Sequence, residues 1–146
     1  MLEMITRQAQ ERLWADFGNC LESEAAEEFL ETLLNLMRIM FALNHDYRRN
    51  IKGFRGRYQF ISRNRRITMA ALFDNGRMTV REAVIPDPDI TITFRNGRTL
   101  IHFILSPRQD IIGAMLRQDV QTEGNLNYLY KFGYMAKQLQ MMMPRL

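Results

Sequence analysis

Between Leu43 and Tyr58 the spacing of apolar side chains changes period, which excludes an all-helical or an all-β chain. Before the change, Ala26, Phe29, Leu30, Leu33, Leu36, Met37, Met40 and Phe41 recur every three or four residues, as on one wide helical face. After it, Tyr58, Phe60 and Ser62 alternate with Gln59 and Ile61, the pattern of a half-buried strand. The helix is expected over about residues 23 to 43. Ser23 is placed to cap it, and Glu24, Glu27 and Glu28 complement the positive end of its dipole. A weaker amphipathic helix carrying Leu2, Ile5, Ala9, Leu13 and Phe17 precedes it and ends at Gly18-Asn19. Residues 44 to 56, rich in Asn, Gly and Arg, read as a loop.

The period of two continues. A turn over Asn64-Arg65 leads to a strand over Ile67 to Phe73, and Asp74-Asn75-Gly76 supplies the left-handed residues of a tight hairpin. Met78 and Val80 continue on one face of a third strand. Pro86-Asp87-Pro88-Asp89 interrupts the meander as a crossing loop, and Ile90, Ile92 and Phe94 form a fourth strand. Helices are expected at 99 to 105 and 109 to 117, a short fifth strand at Val120 to Glu123, and a last helix from Asn125 to Met142. Strands grouped first and helices after them indicate an α+β domain, with helices covering one face of the sheet. The other face is left to solvent or to the basic segment.

At 146 residues and 47% hydrophobic composition, the chain can bury a core without disulfides or metal. Cys20 is the single cysteine, which excludes an internal disulfide. No run of 18 apolar residues occurs, the N-terminal segment lacks a secretory apolar stretch, and Pro144-Arg145-Leu146 departs from the peroxisomal signal. A cytoplasmic protein is the default expectation. The net charge of +4 is unevenly placed. Residues 1 to 47 hold nine acids and three bases, whereas residues 48 to 66 hold eight bases and no acid. Phe54, Tyr58 and Phe60 are interleaved with those bases, as nucleic-acid binding would require. The absence of an accompanying helix-turn-helix or RNP-type pattern argues against that partner. Anionic lipid headgroups, or the acidic N-terminal helices, would satisfy the same charges.

Catalytic chemistry has little to stand on. His45 and His102 lack partners at metal-ligand spacing, Asp87 and Asp89 fit turn chemistry, and Ser106 lies outside any nucleophile elbow. Phosphate- and dinucleotide-binding glycine motifs are missing. No enzyme activity, cofactor or metal is expected. An apolar surplus in the last helices remains, together with 11 adaptable methionines. It has three outlets: a simple core, an interface with a partner or a second copy, or an internal cavity for an apolar ligand.

Several stretches resemble a known family. "DPDITITF" (87–94) is similar to an Asp-Pro-Asp-hydrophobic-Thr-Ile strand start. "PRQDIIGAMLRQDV" is similar to a short helix leading into a strand, with Gln118-Asp119 where Gly-Lys is usual. "VQTEGNLNYLYKF" is similar to a strand-Glu-Gly-Asp-Leu-helix pattern, with Asn125 in place of Asp. Together with the hairpins over 57 to 85, these make Tyr58 to Leu139 resemble the sterol carrier protein-2 (SCP2) lipid-binding domains. The resemblance implies a mostly antiparallel five-stranded sheet with helices on one face, holding a lipid in an apolar tunnel without catalysis. Residues 48–146 would form that domain and residues 1–47 a helical extension packed on it, the whole being one compact unit. Carried onto this sequence, the tunnel would be lined by Phe94, Leu100, Phe103, Ile104, Ile111, Met115, Leu126, Leu129, Tyr130, Phe132, Gly133, Ala136 and Leu139. The ligand would be a sterol, fatty acyl chain or polyprenyl chain, bound for transfer or presentation. Arg48, Arg49, Lys52 and Arg55 would meet a headgroup or an anionic membrane, and the last helix would act as wall or lid. The alternative is a protein-interaction or homodimerisation module, including a lipid-binding accessory factor in quinone biosynthesis.

Overall fold

The computed structural model describes residues 7–8, 11–12, 14–15, 26–96, 99–100, 103, 113, 115 and 117–142. Helix α1 spans Ala26–Leu43 and buries the periodic row Phe29, Leu30, Leu33, Leu36, Met37, Met40 and Phe41, with Leu34 beside it. Residues 7, 8, 11, 12, 14 and 15 are helical, and Trp14 joins the core. Leu2, Ile5, Ala9, Leu13, Phe17, Cys20, Ser23 and Glu24 lie outside the described residues.

The segment expected as a loop after α1 is largely helical. The Asn44 side chain accepts a hydrogen bond from the Tyr47 amide and starts α2 (His45–Arg48), which runs into a 3-10 turn over Arg49–Ile51. Tyr47 and Ile51, one helical turn apart, are both fully buried. A two-residue apolar signal is too short to stand out from a polar background.

Five strands follow: β1 (Arg55–Ser62), β2 (Thr68–Asp74), β3 (Arg77–Arg81), β4 (Ile90–Phe94) and β5 (Val120–Gly124), in the spatial order β3-β2-β1-β4-β5. Asn75 (φ 44°) and Gly76 (φ 89°) make the β2–β3 turn, as the Asn-Gly pair predicts. All pairings are antiparallel except β1 with β4, where Tyr58 stands opposite Ile90 and Phe60 opposite Ile92. Strands β3 and β4 therefore run the same way, and residues 82–89 must recross the sheet between them.

The recrossing covers the face expected to meet solvent or the basic segment. Gln59, pointing away from its neighbours Tyr58 and Phe60, anchors it. Its Nε2 donates to the carbonyls of Met69 (2.9 Å) and Ala83 (3.1 Å), and its Oε1 accepts from the Ile85 amide at 2.7 Å. Buried Ile85 and Ala70 complete that side. Helices occupy the other face. Helix α3 (Leu126–Met141) starts at Asn125, whose side chain accepts from the Asn127 amide. A seam of rings runs from α1 to α3. Phe41 stacks on Tyr47 at 4.2 Å and meets Phe73 edge-on, Tyr58 lies 5.4 Å from Phe73, and Phe132 lies 5.0 Å from Phe60. Such pairs contribute roughly 0.5–1.5 kcal/mol each beyond area burial. The buried cluster is continuous across residues 47 and 48, and that expected boundary falls within α2. Residues 99, 100, 103, 113 and 115 are helical, within the two ranges expected.

Candidate functional site

Helix α3 closes the helical side of the sheet over β1 and β4. Its inner row, Leu129, Phe132, Gly133, Met135, Ala136 and Leu139, is buried at helical spacing. Phe94 and Leu100 face the same interior, and Phe103 and Met115 are half-buried against it. Phe94, Leu100, Phe103, Met115, Leu129, Phe132, Gly133, Ala136 and Leu139 are thus brought to one apolar core. Ile104 and Ile111 lie outside the described residues.

Two expected lining residues are placed differently. Tyr130 is 48% exposed and Leu126 is 36% exposed. One residue along a helix is a rotation of about 100°, which carries Tyr130 from the inner row of Leu129 to the outer side. Leu126, four residues before Tyr130, shares that outer row. A helix apolar on nearly its whole circumference therefore divides into a buried face and an exposed one.

Side-chain hydrogen bonds fasten α3 to the rest of the domain. The Tyr58 hydroxyl donates to the Tyr128 carbonyl at 2.8 Å and the Tyr47 hydroxyl to the Met135 carbonyl at 2.9 Å. Asn50 Nδ2 donates to Gln138 Oε1 at 2.9 Å. Burial pushes the Tyr47 phenol well above the ordinary tyrosine range. The Tyr58 phenol is raised by burial first, then by the nearby Tyr128 phenol and Asp89 carboxylate. Both stay neutral donors. These bonds tie α3 to β1, to α2 and to the 3-10 turn.

A second feature is basic. A cleft of about 270 Å³ is lined by His45, Arg48, Arg49, Lys52, Asn75 and Gly76. Arg48 Nη1 donates to the Ala42 carbonyl at 3.0 Å, at the negative end of the α1 dipole. Arg49 faces Asp46 at 4.0 Å, an exposed pair of little energetic weight. Arg55 does not join the cleft lining and instead pairs with Asp74 at 3.1 Å. His45, Asn75 and Gly76 were not among the residues expected here. The Asn-Gly turn itself was legible, but its docking on the 3-10 turn was not. The Gly53 amide donates to Asn75 Oδ1 at 2.8 Å, and the Gly76 amide to the Ile51 carbonyl at 3.0 Å.

The basic stretch 48–66 is not one surface. It is spread over α2, the 3-10 turn, β1 and the turn after it, and its aromatics Tyr58 and Phe60 lie in the core. Neither ring is available to stack on a nucleic-acid base. Among the described residues no group of three or more His, Cys, Asp or Glu side chains is placed to hold a metal. Asp89 is committed to structure, its carboxylate accepting from the Arg57 amide at 2.8 Å.

No family model and no curated protein matches the sequence. Solved structures do. A ubiquinone synthesis protein described as UbiJ-SCP2 is similar with a TM-score of 0.59 at 15% identity, covering 77% of this chain and 88% of that one. The sterol carrier protein domain 2 of Helicoverpa armigera is similar with a TM-score of 0.54 at 16% identity, covering 82% of this chain and 93% of that one. The fold is SCP2-like. The same architecture occurs within the stereoselective inverting sec-alkylsulfatase Pisa1 from Pseudomonas sp., with a TM-score of 0.55 at 20% identity over 73% of this chain. This SCP2-like chain spans only 15% of that enzyme's length.

Proposed function

We propose that the protein is a non-catalytic lipid-binding domain that holds an apolar chain between its sheet and its helices. The observation that carries this reading is the apolar wall of the SCP2-like fold. It runs from Phe94 and Leu100 to Leu129, Phe132 and Leu139, with half-buried Phe103 and Met115 beside it. Two hydroxyls beside that wall are engaged: those of Tyr47 and Tyr58 donate to main-chain carbonyls of α3. They hold the wall in place and offer a ligand no reacting group. The descriptions of the similar structures name a sterol carrier, ubiquinone synthesis and an alkylsulfatase, which supports a ligand with an extended apolar body.

The driving force is removal of apolar surface from water, about 0.8 kcal/mol per methylene. A chain of about twelve carbons gains on the order of 8–10 kcal/mol before ordering costs. Sterol, fatty acyl and polyprenyl ligands all meet this requirement, and the likeness to a ubiquinone synthesis protein favours testing the polyprenyl class first. Native mass spectrometry of the purified protein is expected to show co-purified lipid. A fluorescent fatty acid is expected to bind saturably and to be displaced by polyprenyl compounds. No co-purified lipid, and no saturable binding across the three classes, would overturn the proposal.

A further inference from the structure

We infer that the basic cleft between α2 and the β2–β3 turn is a binding site for a soluble molecule that bears a phosphate or diphosphate group. The site is separate from the apolar interior and does not rest on the reading of it. One wall is the short run His45, Arg48, Arg49 and Lys52, and the other is the turn at Asn75 and Gly76. Hydrogen bonds lock the two walls together, since the Asn75 amide donates to the Phe54 carbonyl at 2.9 Å, beside the bonds made by the Gly53 and Gly76 amides. Those three amides are thereby occupied, and side chains must supply the donors for a ligand. The Asn75 side-chain oxygen is taken by Gly53, which leaves its amide nitrogen as the group it can offer to the cleft.

The lining selects the ligand's chemistry. Among the described residues, Arg48 and Lys52 have no carboxylate partner, and Arg48 is held in place by the Phe41 and Ala42 carbonyls. Asp46 stands 4.0 Å from Arg49, but both are exposed, and a pair of that kind yields to a better-placed anion. Asp74 is held by Arg55 at 3.1 Å, outside the lining. Three cations, an imidazole and a carboxamide therefore line the cleft with no acidic side chain among them. Phosphate oxygens accept several charge-assisted hydrogen bonds at once, and a guanidinium matches them in pairs. A lone carboxylate has two oxygens and would leave most of these donors unused. At about 270 Å³ the cleft has room for more than one phosphate group, which favours a diphosphate. A nucleic-acid strand would need aromatic platforms beside the cations, and Tyr58 and Phe60 are buried.

Amide NMR of the full chain, titrated with sodium pyrophosphate at constant ionic strength, tests the inference. Saturable shifts are expected at residues 45–53 and 75–76, with inorganic phosphate binding about ten-fold more weakly. Arg49→Gln and Lys52→Gln should each weaken pyrophosphate binding about five-fold. Asn75→Asp keeps the acceptor for the Gly53 amide and suits the positive φ, yet it sets a carboxylate where the amide nitrogen stood. It should weaken binding at least about ten-fold. Arg66→Gln removes one positive charge from the exposed turn at the other end of β2, and should change the affinity less than about two-fold. A thermal melt checks that each variant folds. Shifts that fail to saturate would overturn the inference, as would equal losses in Arg66→Gln and Lys52→Gln. So would binding to phosphatidylglycerol vesicles with no response to soluble pyrophosphate. Pyrophosphate affinity should be the same before and after extraction of any interior lipid, so either reading can fail without the other. An affinity that vanishes on extraction would overturn this one.

Discussion

Asp89 and Gly124 show why two short, separated motifs are needed together. The Asp89 amide donates to the Arg57 carbonyl, its carboxylate accepts from the Arg57 amide, and its own carbonyl accepts from the Asn125 amide at 3.2 Å. One residue thereby joins β1, the start of β4 and the cap of α3. Gly124 stands directly against it, with φ at 123°. A Cβ there would overlap the Asp89 carbonyl oxygen and come within 2.9 Å of the Ile90 Cα, both parts of the main chain. Neither the dihedral nor the space admits another residue. Gly124→Ala is expected to cost about 3 kcal/mol, from strain and overpacking together. Chemical denaturation measures it, and a loss below about 1 kcal/mol would mean that the backbone yields more easily than this contact implies. From sequence, the glycine was legible as a break between strand and helix. Its contact with Asp89, 35 residues away in the chain, was not.

At the scale of elements, local chemistry announced most of what formed. The Asn75-Gly76 hairpin, the alternation of β4 and the period of α1 each depend on neighbours a few residues apart. What escaped depends on partners far away. Alternation in Tyr58, Phe60 and Ser62 defines a strand but cannot say that Ile90 and Ile92 lie beside it in parallel. Nor can it say that Gln59 will hold residues 83 and 85 over the opposite face. The apolar residues of α3 predict a helix, and only its docking decides that Leu129 turns inward and Tyr130 outward. That docking uses the phenols of Tyr47 and Tyr58, with a consequence for pH. An unfolded chain loses tyrosine protons near pH 10, whereas burial keeps these two protonated well above that. Between those limits the folded state binds more protons than the unfolded state. Stability is therefore full below about pH 10 and falls as pH rises, by about 1.4 kcal/mol per pH unit for each tyrosine. Denaturation midpoints at stepwise alkaline pH check this, and Tyr47→Phe should flatten the slope by about half. A slope unchanged in that variant would place the alkaline sensitivity elsewhere.

Across the whole molecule, the apolar surplus takes more than one outlet. The inner faces of α1 and α3 and the ring seam are buried in one continuous apolar cluster. The outer row of α3 remains exposed, and Phe103 and Met115 are half-buried against the core. Charge is divided along the sequence, with nine acids in residues 1 to 47 and eight bases in residues 48 to 66. A ligand that fills the interior binds the folded chain and not the unfolded one, so it must raise stability by mass action. At a free ligand concentration about a hundred times Kd the gain is about 2.7 kcal/mol. For a domain of this size, that corresponds to roughly 8 °C in the unfolding midpoint. Extraction of bound lipid from the purified protein is expected to lower the midpoint by that order, and re-addition of a chain of the right class to restore it. The restored midpoint should climb with the logarithm of ligand concentration, whereas a detergent-like effect on the exposed row of α3 would not saturate. A midpoint indifferent to extraction and to re-addition would mean that side chains alone fill the space between sheet and helices.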